Sequence, residues 1–83
     1  MDAPVKVVGA LWCHDTRHTL AHLQESDVPF EFFNVDDDAE AREWMLAQNE
    51  GQQKLPTVDI GGLVLSIPSD EDLDAAIEAQ QAD

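Results

Sequence analysis

VKVVGALWCHDTRHTLAHL, residues 5–23, is the stretch whose reading decides the fold. Val5, Val7 and Val8 are β-branched and apolar, and Gly9 and Ala10 close the run. That profile predicts a strand over 5–11, covered on both faces. From Asp15 the period changes. Thr16, Leu20 and Leu23 recur at i, i+4 and i+7, which predicts a helix over 15–26 with one buried face. Cys13, the only cysteine, falls where the strand hands over to the helix N-terminus. Unsatisfied backbone N–H groups and the helix dipole meet there, and both favour an anion. A thiolate is the anion this sequence offers, and thiols so placed react as nucleophiles. A lone cysteine is also commonly a small buried hydrophobe. At 100° per residue, Thr16, Leu20 and Leu23 fall within about 80° of Cys13. The cysteine then sits at the top of the buried stripe, half in and half out.

Working outward, residues 1–4 read as a frayed start. Asp27 to Pro29 is a turn, and Phe30 to Val35 a second strand with its aromatics in the core. A helix joins the two strands, so they are expected as parallel neighbours with a right-handed crossover. Asp36, Asp37 and Asp38 read as an N-cap and acidic first turn of a second helix, in preference to a metal cluster. Ala41, Trp44 and Met45 mark its apolar face, and Gly51 its stop. Lys54 to Ile60 enter a third strand. Gly61-Gly62 is a tight turn into a fourth, antiparallel strand over Leu63 to Ser66. Ser69 then caps a last helix, with Asp72 as capping-box partner and Leu73, Ala76 and Ile77 as its buried stripe. The expected architecture is α/β, βαβαββα, a four-stranded mixed sheet of order 2-1-3-4 with three helices.

Eighty-three residues at 43% hydrophobic make one domain, 1–83, with one compact core. One cysteine excludes an internal disulfide framework and a four-cysteine zinc site. No basic-plus-apolar leader and no membrane-length apolar run appears, so a reducing cytoplasm is the expected compartment. Four lysines and arginines against eighteen aspartates and glutamates leave a formal charge of −14. That opposes nucleic acid or an anionic membrane as partner. It fits either a solvated acidic surface or a basic protein partner drawn in by steering. His14, His18 and His22 are spaced i, i+4 and i+8. They project about 100°, 140° and 180° from Cys13, so one ion cannot be shared with it. They read as an exposed polar face.

The order βαβαββα, with a helix-capping cysteine after the first strand, resembles the glutaredoxin family of the thioredoxin fold over nearly the whole chain. Trp12-Cys13-His14-Asp15-Thr16 is similar to the family's aromatic-C-x-x-C segment, with Thr16 at the second cysteine. Residues 49–57, NEGQQKLPT, resemble the loop into the family's T-V-P-T. By that likeness Pro56 is a cis-proline facing the cysteine. Ser69-Asp70 resembles the polar pair that holds the free end of glutathione. Trp12 before the cysteine and Pro68-Ser69 before the last helix resemble the small bacterial redoxins that include mycoredoxin. The pattern departs at Ala10, where a lysine is common, at Lys54 for the threonine of T-V-P, and at Ile67-Pro68 for a Gly-Gly pair. His14-Asp15-Thr16 also departs from the C-G-F-S of the iron–sulfur branch.

The resemblance implies a thiol–disulfide oxidoreductase. With Thr16 at the resolving position, it implies one-cysteine exchange on protein mixed disulfides. The co-substrate would be a low-molecular-weight thiol (glutathione, mycothiol or bacillithiol), with no tightly bound cofactor, no metal and a monomeric chain. Cys13 is the expected nucleophile. Thr16 either points its hydroxyl at the sulfur or is a neutral helix-start residue. Asp15 disfavours a neighbouring thiolate, and His14 at a helix N-terminus favours its neutral form. Trp12, His14, Gln53, Lys54, Leu55, Pro56, Ser69 and Asp70 are the expected substrate-binding residues. Asp70, Glu71 and Asp72 repel a carboxylate, which disfavours glutathione. The alternative is a thioredoxin-fold binding or sensor module without turnover.

Overall fold

Five residues, Val5–Gly9, form the strand β1 on which both halves of the core are built. A computed structural model describes residues 5–81, and the frayed start expected over 1–4 lies outside them. β1 is followed by α1 (His14–Glu25), β2 (Phe30–Asn34), α2 (Ala39–Gln48), β3 (Thr57–Ile60), β4 (Leu63–Ser66) and α3 (Asp70–Gln81). The sheet order is β2-β1-β3-β4. β1 runs parallel to β2 and antiparallel to β3, and β3 pairs antiparallel with β4. The βαβ crossover and the hairpin at Gly61-Gly62 dictate that order, as the sequence implied. Both hairpin glycines have positive φ, 60° and 98°, which suits a two-residue turn.

Alternation along β1 sorts its side chains between two layers. Val5 and Val7 join Leu23 of α1, Val58 and Ile60 of β3, and Leu73, Ala76 and Ile77 of α3. Val8 points the other way, to Ala10, Val35, Met45 and Leu55, under Ala41 and Trp44 of α2. Leu23, Met45 and Leu73 are fully buried. Each contributes a few kcal/mol, and truncation to alanine would cost about 2–5 kcal/mol.

Several boundaries differ from the sequence expectation. β1 stops at Gly9 rather than at residue 11, because the Cys13 N–H turns back to the Ala10 carbonyl at 3.0 Å. α1 starts at His14, which leaves Cys13 itself as N-cap. Its buried positions are Thr16, Thr19 and Leu23, with Leu20 half-buried. The phenylalanines of β2 are half-buried rather than core, because β2 is an edge strand. β3 begins at Thr57, since residues 54–56 leave the ladder as a loop. Asp38 is the true N-cap of α2, accepting the Ala41 N–H at 3.0 Å. Ser69 Oγ accepts the Asp72 N–H at 3.1 Å, which forms the donor half of the expected capping box.

Candidate functional site

Cys13 is half-buried and caps α1 with extended backbone, φ −87° and ψ 124°. Its carbonyl takes the Arg17 N–H at 3.0 Å, and its side chain caps nothing. The sulfur therefore lies at the positive end of the helix dipole without capping it. The loop leading to it is fastened at two further points. The Arg17 guanidinium donates to the Leu11 carbonyl at 2.9 Å. The Trp12 indole N–H donates to Asp36 Oδ2 at 2.9 Å, tying this loop to the β2–α2 connection. Trp12 nevertheless remains 60% exposed. His14 is the exposed first residue of α1.

Thr16 is fully buried. Its hydroxyl accepts the Ala10 N–H at 3.3 Å. That bond gives the hydroxyl a structural role at the start of α1. Ala10 has left the β1 ladder, and its buried N–H needs an acceptor. Gly9 permits the contact. A Cβ there would stand 2.5 Å from Thr16 Oγ1 and 2.7 Å from its Cγ2.

The second wall is the loop over residues 52–56. The Leu55-Pro56 bond is cis, as the resemblance implied, and both residues are buried. The Cys13 thiol faces the Leu55 carbonyl at 3.8 Å. Gln53 is exposed and Lys54 half-buried on the same loop. A buried network holds it. Asn49 Nδ2 donates to the Met45 carbonyl at 2.7 Å and to Thr57 Oγ1 at 3.1 Å, and Thr57 Oγ1 donates to the Lys54 carbonyl at 2.7 Å. Ser66 Oγ donates to Asn49 Oδ1. Sequence reading gave Asn49 no role. Its one signal was a polar side chain between a helix stop and a strand start, where loop carbonyls need donors.

The start of α3 packs against α1. Ser69 is exposed, and its hydroxyl is committed to the helix cap. Asp70 lies half-buried beside α1. His18 Nε2 sits 3.1 Å from both Asp70 carboxylate oxygens. His22 Nε2 lies 2.7 Å from Asp74 Oδ1, with its Nδ1 3.7 Å from Asp70. The histidine face of α1 is thus not simply solvated. His18 and His22 join α1 to α3, and His22 is largely covered. The hydrogen bond to Asp74 raises the His22 pKa above its ordinary value, burial opposes this, and the charges of Asp70, Asp74 and Glu25 add to the rise. Among the described residues, no three His, Cys, Asp or Glu side chains gather as a metal site.

Cys13 and Leu55 are thus brought together, with the cis-proline beside them, whereas Ser69 and Asp70 sit at the start of α3, where Asp70 reaches α1 through His18 and His22. An open hollow of about 320 Å³ lies elsewhere, between α2 and the sheet, lined by Lys6, Val8, Phe33, Ala41, Trp44 and Asp59 among others. It contains none of the residues read as site.

The glutaredoxin family model matches residues 5–65. No curated protein matches the sequence. Among solved structures, the thioredoxin-like protein BC3987 is 28% identical with a TM-score of 0.77, covering 87% of this chain and 97% of that one. A mutant of the same protein superposes with a TM-score of 0.81 at 27% identity, covering 89% and 94%. The glutaredoxin of Archaeoglobus fulgidus shares the fold at 24% identity and a TM-score of 0.74, covering 90% and 86%.

Proposed function

Because the chain belongs to the glutaredoxin family of thiol–disulfide oxidoreductases, we propose that it exchanges disulfides through Cys13 alone, with a low-molecular-weight thiol as co-substrate. One observation carries this reading. The only cysteine caps α1 with its sulfur beside Leu55, while the position one turn on, where a second thiol would resolve, is filled by buried Thr16.

The cycle conserves atoms and electrons. The Cys13 thiolate attacks the small-thiol sulfur of a protein mixed disulfide, bonds to it, and the protein cysteine leaves as a thiolate. A second small thiol, as thiolate, then attacks that sulfur. It frees Cys13 and carries the oxidation away as a small-molecule disulfide. A proton from solvent neutralises each leaving thiolate. The Leu55 backbone pairs with an extended segment of the protein half as a short added strand. A reducing cytoplasm, rich in such thiols, is the compartment this cycle needs.

Glutathione is the least suited of the small thiols. Ala10 is fully buried where a lysine would meet a carboxylate. Asp70 already faces His18 and His22, so it is not free to hold an ammonium group. Glu71 and Asp72 add negative charge beside it. The test is turnover of glutathione, mycothiol and bacillithiol mixed disulfides in parallel. The expected order places glutathione last. Fast glutathione turnover would overturn the choice of thiol. No turnover with any of the three would leave a binding or sensor module.

A further inference from the structure

Residues 52–56 carry the Leu55 carbonyl to the sulfur, yet they lie outside the sheet, which resumes only at Thr57. One buried side chain closes them into a ring. Asn49 is the C-cap of α2, and its backbone carbonyl accepts the Gln52 N–H at 3.0 Å. Its side-chain amide reaches the far end of the same loop, where Nδ2 donates to Thr57 Oγ1 at 3.1 Å. A second donation, to the Met45 carbonyl at 2.7 Å, holds the amide against α2. Ser66 Oγ, at the end of β4, donates to Asn49 Oδ1. Asn49 therefore joins α2, β3 and β4 at one point, with both amide hydrogens in use.

The bonds run in one direction. The Ser66 hydroxyl donates to Asn49, Asn49 donates to Thr57, and Thr57 donates to the Lys54 carbonyl at 2.7 Å. A threonine hydroxyl has one proton. With Asn49 donating to Oγ1, that proton is left to point at Lys54. The Lys54 carbonyl belongs to the peptide unit that leads into Leu55, and the next carbonyl along the chain faces Cys13. Hydrogen bonds chained in this way polarise one another, so removing one weakens the rest.

We propose that Asn49 is a positioning residue for the exchange. Its amide, acting through Thr57 and Lys54, holds the Leu55 backbone where an incoming cysteine segment pairs with it. This rests on the exchange at Cys13 and the docking at Leu55 proposed above. Without the amide the loop samples other positions, and apparent affinity falls by the fraction of time spent in the competent one. The loss falls on substrates that use the backbone. It shows in the half-saturating concentration and not in the limiting rate.

Two disulfides test this. One is a peptide with its cysteine mid-chain, joined to 2-mercaptoethanol, and the other is bis(2-hydroxyethyl) disulfide. Reduced Cys13 attacks a 2-mercaptoethanol sulfur in both and gains the same adduct, read by mass. Only the departing thiolate differs, and solvent protonates it. Wild type should react faster with the peptide disulfide. Asn49→Ala should raise the half-saturating peptide concentration about fivefold, the scale of one neutral hydrogen bond, with the limiting rate and the small disulfide unchanged. Thr57→Val should do the same, and carries the test if Asn49→Ala does not fold. Thr57→Ser keeps the hydroxyl and should restore wild-type values. Ile77→Val, a core change in the other layer, should leave the peptide preference intact. A wild type without peptide preference, variants that keep it, or variants that slow both disulfides equally would overturn the positioning role while leaving the exchange in place. If wild type reacts with neither disulfide, the exchange at Cys13 fails. Calorimetric binding of the peptide with serine for cysteine then decides: the role stands if Asn49→Ala or Thr57→Val weakens binding and falls if neither does.

Discussion

The Cys13 sulfur faces the Leu55 carbonyl oxygen at 3.8 Å across a separation of forty-two residues. Two loops that share no secondary-structure element meet there. One is fixed by the first turn of α1, the other by the Asn49–Thr57 hydrogen bonds. A disulfide lying against the sulfur has backbone on one side and a helix N-terminus on the other. Cys13→Ser is expected to abolish turnover of every mixed disulfide, since a hydroxyl is not ionised near neutral pH. The fold should persist, because the side chain is half-exposed and caps nothing. Residual turnover above background would show that the sulfur is not the nucleophile.

In the exchange proposed above, Thr16 stands in place of a second thiol and limits the scope to mixed disulfides. Thr16→Cys should add reduction of protein disulfides, because a thiol one turn on can attack a Cys13 mixed disulfide from within. Thr16→Val should add none, and should lower stability by about 1–3 kcal/mol by stranding the buried Ala10 N–H. Insulin-type reduction and urea denaturation read the two outcomes. Protein-disulfide reduction equal in wild type and Thr16→Cys would contradict the assignment.

Gly9→Ala should destabilise by about 1–3 kcal/mol, because its Cβ would overlap the short, buried Thr16 side chain. The same change should slow exchange, since the start of α1 and Cys13 must move with Thr16. Adding Thr16→Ala removes the two closest atoms and should recover part of the loss. A double-mutant cycle with no coupling would show that the two sites are independent.

Stability should fall with rising pH through the His22 titration. The folded pKa is raised by the bond to Asp74, so the folded state holds its proton more tightly than the unfolded chain. The contribution is full below about pH 6.5, the unfolded value, and disappears as pH climbs past the raised one. His22→Gln should flatten that part of the profile, and Asp74→Asn should reduce it. Thermal melts across this range that are identical in wild type and His22→Gln would refute the ion pair.

Element order, strand pairing and the place of Cys13 at a helix N-terminus were legible because they rest on local periodicity. Valines at Val5, Val7 and Val8 followed by Thr16, Leu20 and Leu23 specify strand then helix. Gly61-Gly62 admits little but a hairpin, and a helix between two strands leaves essentially one handedness. Cys13 was placed by its neighbours in the chain alone. What the sequence could not decide are the relations that depend on which faces meet. The Thr16 hydroxyl serves Ala10, because β1 ends at Gly9 and leaves an N–H to satisfy. His18 and His22 pair with Asp70 and Asp74, because α1 and α3 share one side of the sheet. Ile67 stands exposed and strained beside Pro56, because β4 must turn there into α3. Periodicity fixes which side of its own element a residue occupies. The partner across the gap is chosen only when all the elements have packed.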